Sequence, residues 1–272
     1  KDNLQRYLSF LHNSFGMILV TGPTGCGKTT TLYSTLNHIN SAEKNIITIE
    51  DPVEYRLPGI NQVQINNKIK LTFANCLRAI LRQDPNIIMV GEIRDAETAE
   101  IAARAALTGH LVFSTLHTND APRAVTRLLD MGVEPFLLVS SLVGVVSQRL
   151  IRIICPHCKE EDELEKDEEL LYKKISRKNS LPVFYRGRGC PKCNFTGFKG
   201  RTAIHEVMPV DSSLREIILQ KPNFERVRNH ALSNGMQPLI MDGIGRAVAG
   251  ITTFKEVIRA AYSSFYDQWN WG

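Results

Sequence analysis

The chain of 272 residues is long enough for one large domain or two small ones, and its 43% hydrophobic content is typical of a globular protein. Its net charge of +5 neither demands nor excludes an anionic partner such as nucleic acid or lipid headgroups. The longest apolar region, residues 136–146, is too short to span a bilayer, so we expect a buried helix there. The chain begins at Lys1 without a signal segment. We therefore expect a piece of a longer cytosolic protein whose thiols are reduced.

The first half of the chain alternates apolar stretches with helical patterns, which predicts a parallel sheet covered by helices. Between residues 55 and 71 apolar residues flank polar ones around a turn, which favours an antiparallel hairpin. Strands are predicted at residues 17–21, 45–50, 86–91 and 111–116, and helices at residues 29–37, 96–107 and 119–130, with another between Thr72 and Pro85.

The composition of the second half shifts at Cys155. Two cysteine pairs bracket a charged insert at residues 159–178, whose mostly acidic centre predicts a solvated helical arm. From Asp211 onward the pattern is helical, and Thr253 with Glu256 forms a capping box that opens the last helix.

The most informative segment is the turn between the first predicted strand and helix. It satisfies G-x-x-x-x-G-K-[ST], in which small residues let the backbone wrap a phosphate with its N–H groups pointing inward. Lys28 adds a positive charge for the β- and γ-phosphates, and Thr29 offers a hydroxyl to Mg²⁺. A chance match in a glycine-rich turn is the alternative, but the flanking strand and helix favour nucleotide binding. The predicted nucleotide-binding residues are Gly22, Pro23, Thr24, Gly25, Cys26, Gly27, Lys28, Thr29 and Thr30.

Two later strands end in acidic residues, which a parallel sheet places at its carboxyl edge beside the phosphates. Glu50 and Glu54 flank the end of the second strand, where carboxylates can orient water or hold Mg²⁺, although a polar strand-to-loop junction is equally consistent. Glu92 follows the third strand, where an acid acts on Mg²⁺ or on the attacking water. Arg94 has no assigned role at this stage, and Asp95 is a candidate helix cap.

Two histidines, His110 and His117, flank the last of these strands. A histidine near the γ-phosphate can sense it through a ring N–H, although a lone histidine is more often structural.

The cysteines form a C-x₂-C … C-x₂-C pattern typical of a structural zinc site, with disulfides and an iron–sulfur cluster as alternatives. The predicted ligands are Cys155, Cys158, Cys190 and Cys193. His157 stays outside a first shell that four thiolates already fill. Cys26 and Cys76 are expected to be ordinary buried residues.

Four ordered signatures resemble those of the type II secretion and type IV pilus assembly ATPase family. They read TGPTGCGKTTTLY, ITIEDPVEY, LRQDPNIIMVGEIRDAETA and TGHLVFSTLHTNDA. Residues 148–150, the tetracysteine segment and the following GFKGRTAIHE also resemble this family. Pilus retraction ATPases resemble the first part equally well but lack the cysteine lobe, so pilus extension or protein secretion is favoured over retraction.

The resemblance implies a RecA-like α/β core at residues 1–150, a tetracysteine lobe at 151–207 and a helical domain at 208–272. It implies a Mg²⁺-dependent ATPase in which Glu54 polarises the attacking water and Glu92 holds the Mg²⁺ shell. His117 and His110 would read the γ-phosphate or relay its state. Arginines from a domain preceding this segment complete the site in the family, so we expect ATP binding with slow turnover.

The resemblance further implies a bacterial, cytoplasmic homohexamer that works beside an inner-membrane platform protein and other assembly proteins. Three rival functions remain, and Glu54, Glu92 and His117 speak against one of them, a nucleotide-binding regulatory subunit without turnover. A zinc-containing nucleic-acid motor would need a basic groove with aromatic platforms, which the sequence does not suggest, so no nucleic-acid partner is expected. A DNA-uptake ATPase of the same family is the third alternative.

Overall fold

The computed structural model describes residues 2–266, with side chains through residue 261. Its helices are α1 (Asp2–Phe10), α2 (Lys28–Ile39), α3 (Phe73–Ile80), α4 (Ala96–Leu107), α5 (Ala121–Asp130), α6 (Pro135–Ser141), α7 (Lys166–Ser176), α8 (Ser212–Leu219), α9 (Phe224–Ser233), α10 (Leu239–Val248) and α11 (Phe254–Tyr266). Its strands are β1 (Gly16–Thr21), β2 (Ile46–Glu50), β3 (Asn61–Gln64), β4 (Ile87–Val90), β5 (Leu111–Leu116), β6 (Leu142–Ile154), β7 (Lys159–Asp162), β8 (Phe184–Gly187) and β9 (Phe198–Pro209). None of the described helices is both long and apolar enough to cross a membrane.

Contacts between residues group the chain into two compact units. Unit 1 contains Lys1–Ser147 and Val207–Met236, and unit 2 contains Gln148–Glu206 and Gln237–Gly272. The last of the three segments predicted from the sequence therefore contributes residues to both units. The three-domain division itself stays a prediction.

The main sheet has the strand order β3-β2-β4-β5-β1-β6-β9. Pairs β1/β5, β1/β6, β2/β3, β2/β4 and β4/β5 are all parallel, as the alternating pattern predicted. The antiparallel hairpin predicted within residues 55–71 is wrong, because this segment contains one strand, β3, which pairs in parallel with β2. The Asn66-Asn67 turn remains as a short 3₁₀ helix, which is closed by one antiparallel bridge between Asn66 and Leu71.

The core of unit 1 lies on both faces of this sheet, because alternate side chains of a strand point to opposite faces. Met17 and Leu19 of β1 pack in the cluster that contains α3, α4, α5, α6, α8 and α9. Ile18 and Val20 pack in the cluster that contains residues of α1 and α2. Every residue of β1, β2, β4 and β5 is buried, which explains why their apolar runs are continuous.

The predicted helix at residues 136–146 is wrong in its second half. Helix α6 ends at Ser141, and β6 begins at Leu142 and pairs with β1. A short apolar run fits a buried helix or a buried strand equally well, so its length did not discriminate. Gly144 lies within β6 where the strand passes close to Phe10. A Cβ at this position would lie 2.4 Å from the Phe10 ring, so only glycine fits.

Unit 2 contains the antiparallel pair β7/β8 and a separate apolar cluster. Tyr172 of α7 packs its ring against Phe184 and Phe254, with centroid distances of 5.4 Å and 6.0 Å. The prediction of a solvated helical arm is therefore wrong for the inner face of α7, because Tyr172 and Ile175 lie one turn apart and are buried together.

The capping box that was predicted to open α11 is confirmed in one of its two bonds. Glu256 N donates to Thr253 Oγ1 at 3.0 Å. The buried Glu256 carboxylate instead accepts hydrogen bonds from Arg152 Nη2 at 2.8 Å and Arg259 Nη2 at 2.7 Å. Burial opposes ionisation, but these two guanidinium groups outweigh it and lower the pKa of Glu256 to about 2.

Candidate nucleotide-binding site and cysteine cluster

The predicted phosphate loop connects β1 to α2. Gly22, Gly25 and Gly27 have φ values of 149°, 76° and 89°, which lie in the region that side chains disfavour. A Cβ added at Gly25 would meet no atom within 4 Å, so backbone conformation rather than space requires glycine there. Gly27 is the N-cap of α2, and the first-turn N–H groups of a helix point back from its N-terminus. The loop therefore has the backbone of an anion site.

The side chains of this loop divide between its inside and its surface. Lys28 Nζ donates to Gly22 O at 2.8 Å and to Pro23 O at 3.1 Å, which holds the ammonium group against the loop. Thr29 is exposed, so its hydroxyl is accessible to a ligand. Cys26 is only 4% exposed and can serve a ligand through its backbone alone.

A threonine pair joins the loop to the end of β5. The Thr21 hydroxyl lies 3.1 Å from Leu116 O and accepts the N–H of Thr118 at 3.0 Å. Gly22 N donates to Leu116 O at 3.4 Å. These bonds hold His117, which lies between Leu116 and Thr118, at the edge of the sheet that carries the phosphate loop.

Glu92 reaches the same edge from β4. Gly91 N donates to Ile49 O at 2.8 Å, and a Cβ at Gly91 would lie 3.1 Å from that oxygen. This close approach of two strand ends explains why a glycine separates β4 from its acid. The pairing of β4 with β2 therefore positions Glu92.

The Glu92 carboxylate has two basic neighbours. Arg94 Nη2 donates to Glu92 Oε1 at 2.5 Å, and His117 Nε2 lies 3.4 Å from Glu92 Oε2. Burial opposes ionisation of Glu92, but the hydrogen bond and charge of Arg94, followed by His117, outweigh it and lower its pKa. Arg94 Nη2 also lies 3.9 Å from Asp51 Oδ2, so Arg94 is close to acids that follow two different strands.

The two glutamates at the end of β2 have different environments. Glu50 is 3% exposed, and its carboxylate accepts hydrogen bonds from Tyr33, Thr48 and Gln62. Burial of Tyr33, together with its bond to this acid, raises the Tyr33 pKa above its ordinary value. Glu54 is exposed, and among the described residues its carboxylate has no hydrogen bond or ion pair. Placement therefore favours Glu54 over Glu50 for contact with water.

The structure does not bring His110 to this site. His110 precedes β5, and its backbone oxygen accepts the N–H of Gly16, the first residue of β1. Its Nδ1 lies 2.9 Å from Ala105 O. The six residues of β1 separate Gly16 from the phosphate loop by roughly 17 Å at the usual rise of a strand. Direct reading of a phosphate by His110 is contradicted by this placement, and a relay role stays a prediction.

The four predicted cysteine ligands lie together in unit 2, with all sulfur atoms within 4.8 Å of one another. Sγ separations are 3.9 Å for Cys155 and Cys190, 3.9 Å for Cys158 and Cys193, and 3.8 Å for Cys190 and Cys193. A tetrahedral zinc with Zn–S bonds of about 2.3 Å has sulfur–sulfur edges of about 3.8 Å. The cluster fits such a metal, and sulfur atoms this far apart are not disulfide-bonded.

The surrounding backbone supports this arrangement. Gly189 N donates to Cys158 Sγ at 3.3 Å, and Cys190 N donates to Cys193 Sγ at 3.2 Å. A Cβ at Gly187 would lie 2.0 Å from Gly197 O, so two backbone segments beside the cluster meet where only glycine fits. The N–H groups of Gly189 and Cys190 favour the negatively charged thiolate form of the sulfur atoms that they contact. The exposed His157 is not among the clustered donors, and its place outside a metal's first shell stays a prediction.

Comparison with known proteins assigns the family. Residues 1–259 match the family described as Type II/IV secretion system protein. The chain belongs to this family. The Type II secretion system ATPase E of Vibrio cholerae is 52% identical over 97% of this chain and 51% of its own length. The Type IV pilus assembly ATPase PilB of Thermus thermophilus is 50% identical over 93% of this chain and 29% of its own length. The chain thus spans about half the length, or less, of these relatives.

Solved structures agree with the family and confirm the predicted RecA-like α/β class. The pilus retraction motor PilT with bound ADP has a TM-score of 0.69 and 32% identity, covering 93% of this chain and 63% of its own. The ATPase DotB of Legionella pneumophila has a TM-score of 0.67 and 23% identity, covering 93% of this chain and 62% of its own, and it supports the fold alone.

Sequence reasoning missed the residues that hold this family member's site together. Tyr33 and Gln62 hold Glu50, and Thr21 holds Thr118. Arg94 was left without a role, although it pairs with Glu92. One signal was available, because Tyr33 lies one helical turn after Thr29 and therefore on the same side of α2.

Proposed function

We propose that this chain is the nucleotide-hydrolysing part of a motor that uses ATP with Mg²⁺. The convergence of four strand ends carries the proposal. The phosphate loop follows β1, the Glu54 loop follows β2, Glu92 follows β4 and His117 follows β5, all at one edge of the sheet. Open α/β sheets bind ligands at this edge.

Each residue at this edge has a chemical task. The loop N–H groups and Lys28 bind the β- and γ-phosphates. Mg²⁺, when bound, neutralises phosphate charge, and Thr29 and Glu92 are the residues that hold it and its water shell. Burial of Glu92 opposes its ionisation, but Arg94 and His117 lower its pKa below the ordinary value, so partial burial does not cost this acid its charge.

Glu54 orients and polarises the attacking water, because its carboxylate is exposed and, unlike that of Asp51, does not face Arg94. His117, beside Glu92 and the phosphate loop, reads the γ-phosphate through a ring nitrogen. These assignments separate binding, which depends on Lys28, from hydrolysis, which depends on Glu54.

The cysteine cluster holds a structural Zn²⁺. Four thiolates complete a tetrahedral shell and leave no open position for a substrate. Such a metal contributes folding free energy to a small lobe. Cys155, Cys158, Cys190 and Cys193 would hold it, and their sulfur spacing supports this assignment.

The biological role follows from the relatives. Those about 50% identical to this chain are named for type II secretion and type IV pilus assembly, whereas the pilus retraction motor PilT is 32% identical, which favours secretion or assembly over retraction. We infer a bacterial, cytoplasmic homohexamer that acts with an inner-membrane platform protein and other assembly proteins. ATP hydrolysis by neighbouring subunits would move this partner during assembly of a pilin-like fibre.

Two variants test the enzymatic proposal. Lys28→Ala removes the phosphate charge contact, and we expect calorimetry to detect no binding of Mg-ADP at concentrations that saturate the original chain. Glu54→Gln removes the carboxylate but keeps its volume, and we expect unchanged nucleotide affinity with phosphate release at least 100-fold slower in a single-turnover assay. Phosphate release by Glu54→Gln at the original rate would contradict the role of Glu54.

A further inference from the structure

A fully buried tyrosine connects the phosphate-loop helix to an acid of β2. Tyr33 is 0% exposed, and its hydroxyl donates to the Glu50 carboxylate. The same carboxylate accepts Thr48 Oγ1 at 2.5 Å and Gln62 Nε2 at 3.1 Å. Among the described residues no cation pairs with Glu50. Neutral donors alone therefore fix this buried acid, and removing one of them leaves an acceptor unsatisfied.

The Tyr33 hydroxyl also contacts the loop that carries the proposed water-orienting acid. Its oxygen accepts the N–H of Glu54 at 3.3 Å, while its proton is given to Glu50. The Tyr33 ring meets the ring of Tyr55 edge-on, with centroids 4.7 Å apart. One side chain of α2 thus contacts the main chain at Glu54 and the side chain of the next residue.

Strand β3 holds the same loop from its other side. Gln62 Nε2 donates to Tyr55 O at 3.1 Å, and Gln62 Oε1 accepts the N–H of Leu57 at 2.7 Å. Gln64 Oε1 accepts the N–H of Val53 at 3.3 Å. The parallel register places Gln62 beside Thr48, which explains how its amide also reaches Glu50.

We propose that Tyr33 is a positioning residue for hydrolysis, which acts through Glu50, Gln62 and the Glu54 backbone. Tyr33 lies four residues after Thr29, so the helix that begins at the phosphate loop also sets the position of the Glu54 loop. This inference rests on the proposed role of Glu54. Glu50 is then a buried anchor and does not itself meet the attacking water.

The test compares two tyrosine-to-phenylalanine variants, one in α2 and one in α1, each of which loses a hydroxyl that bonds within unit 1. Tyr33→Phe removes only the hydroxyl and keeps the ring against Tyr55. We expect the single-turnover rate of phosphate release to fall by roughly 10- to 100-fold, while the Kd for Mg-ADP changes less than twofold. Hydrogen exchange at the Glu54 amide should rise, with no change in β2. The control is Tyr7→Phe, which breaks a 2.6 Å bond to Thr35 of α2 and should leave all three measurements unchanged.

The outcomes separate this inference from the proposed function. If the original chain releases no phosphate from ATP, the proposed function has failed. If the original chain does release phosphate, the positioning role is overturned when Tyr33→Phe releases it at the same rate and its Glu54 amide stays protected from hydrogen exchange. If Tyr33→Phe does not fold, Gln62→Met decides, because it keeps the Tyr33 side chain but removes the Gln62 bonds to Tyr55, Leu57, Glu50 and the Tyr33 hydroxyl. A folded Gln62→Met with unchanged rate and exchange overturns the inference as well.

Discussion

The phosphate-loop edge of unit 1 and the cysteine cluster of unit 2 are built in opposite ways. The edge gathers side chains from residue 22 to residue 117, which meet because parallel strands end together. The cluster draws its donors from two C-x₂-C segments, and the neighbouring N–H groups of Gly189 and Cys190 donate to one sulfur atom of each segment. The edge leaves Thr29 and Glu54 exposed, whereas three of the four cysteines are buried. The difference fits the proposed roles, a site that exchanges a nucleotide in one region and a site for a structural ion in the other.

Removal of the metal should have the largest effect. Cys193→Ser, or treatment with a strong chelator, should abolish folding of the cysteine lobe, because structural zinc contributes on the order of 10 kcal/mol in small domains. The readouts are zinc content by mass spectrometry and the thermal unfolding curve, with one zinc per original chain expected. His157→Asn is the control, because this exposed histidine should be irrelevant to the metal. An original chain that is purified without zinc, or that keeps the same unfolding curve after chelation, would contradict a structural ion in this cluster.

Loss of charge at the exchange site should slow hydrolysis without unfolding the protein. We expect Glu92→Gln to lower the rate of phosphate release by roughly 100-fold, because the group that holds the Mg²⁺ shell loses its charge. The control Glu97→Gln breaks an exposed pair with Arg78, which should change the rate less than twofold. Equal rates for both variants would mean that Glu92 has no role in turnover.

His110 and His117 allow a comparison within unit 1, because they flank β5 at opposite edges of the sheet. His117→Asn should reduce the rate of phosphate release by about tenfold, since this ring lies beside Glu92. His110→Asn should change the rate less than twofold, because His110 lies at the amino edge. Steady-state kinetics of both variants measures this difference. A larger loss of rate for His110→Asn than for His117→Asn would indicate that His110 relays the state of the γ-phosphate from the amino edge of the sheet.

The smallest expected effect concerns acid stability of unit 2. Glu256 has a pKa of about 2 against its ordinary 4.5, so its ion pairs stabilise the fold fully above pH 4.5. This contribution disappears as pH falls toward 2, and we expect a loss of about 2 kcal/mol in unfolding free energy. Urea unfolding at pH 6 and pH 3 should therefore differ more for the original chain than for Glu256→Gln. An equal pH dependence in both would contradict the pairing.

Local signals in the sequence predicted much of the fold. Strands β1, β2, β4 and β5 were confirmed because continuous apolar runs mark strands that are buried on both faces. The caps at Thr72 and Asp95 were confirmed because they depend on one side chain and a nearby N–H group. The direction of β3 could not be read, because this half-exposed polar strand carries no periodic signal.

The site was harder to predict, because its decisive contacts are long-range. Glu50 ends β2 and Glu54 lies four residues later in the following loop, yet Tyr33 from α2 and Gln62 from β3 hold only Glu50 in the interior. The sequence of residues 46–54 alone does not show that Glu50 is buried and Glu54 is exposed. The separation of His110 from His117 could have been recognised, because the ends of one parallel strand lie at opposite edges of the sheet.

The most direct test of the exchange site is a crystal structure of the chain with Mn²⁺ and a non-hydrolysable ATP analogue. Manganese replaces magnesium and is located by its anomalous scattering. We expect the triphosphate to lie within the loop at Gly22–Lys28. The manganese peak should lie beside Thr29, and Glu92 should be close enough to contact the water molecules around the ion. A triphosphate bound elsewhere, or a manganese peak away from this edge of the sheet, would contradict this expectation.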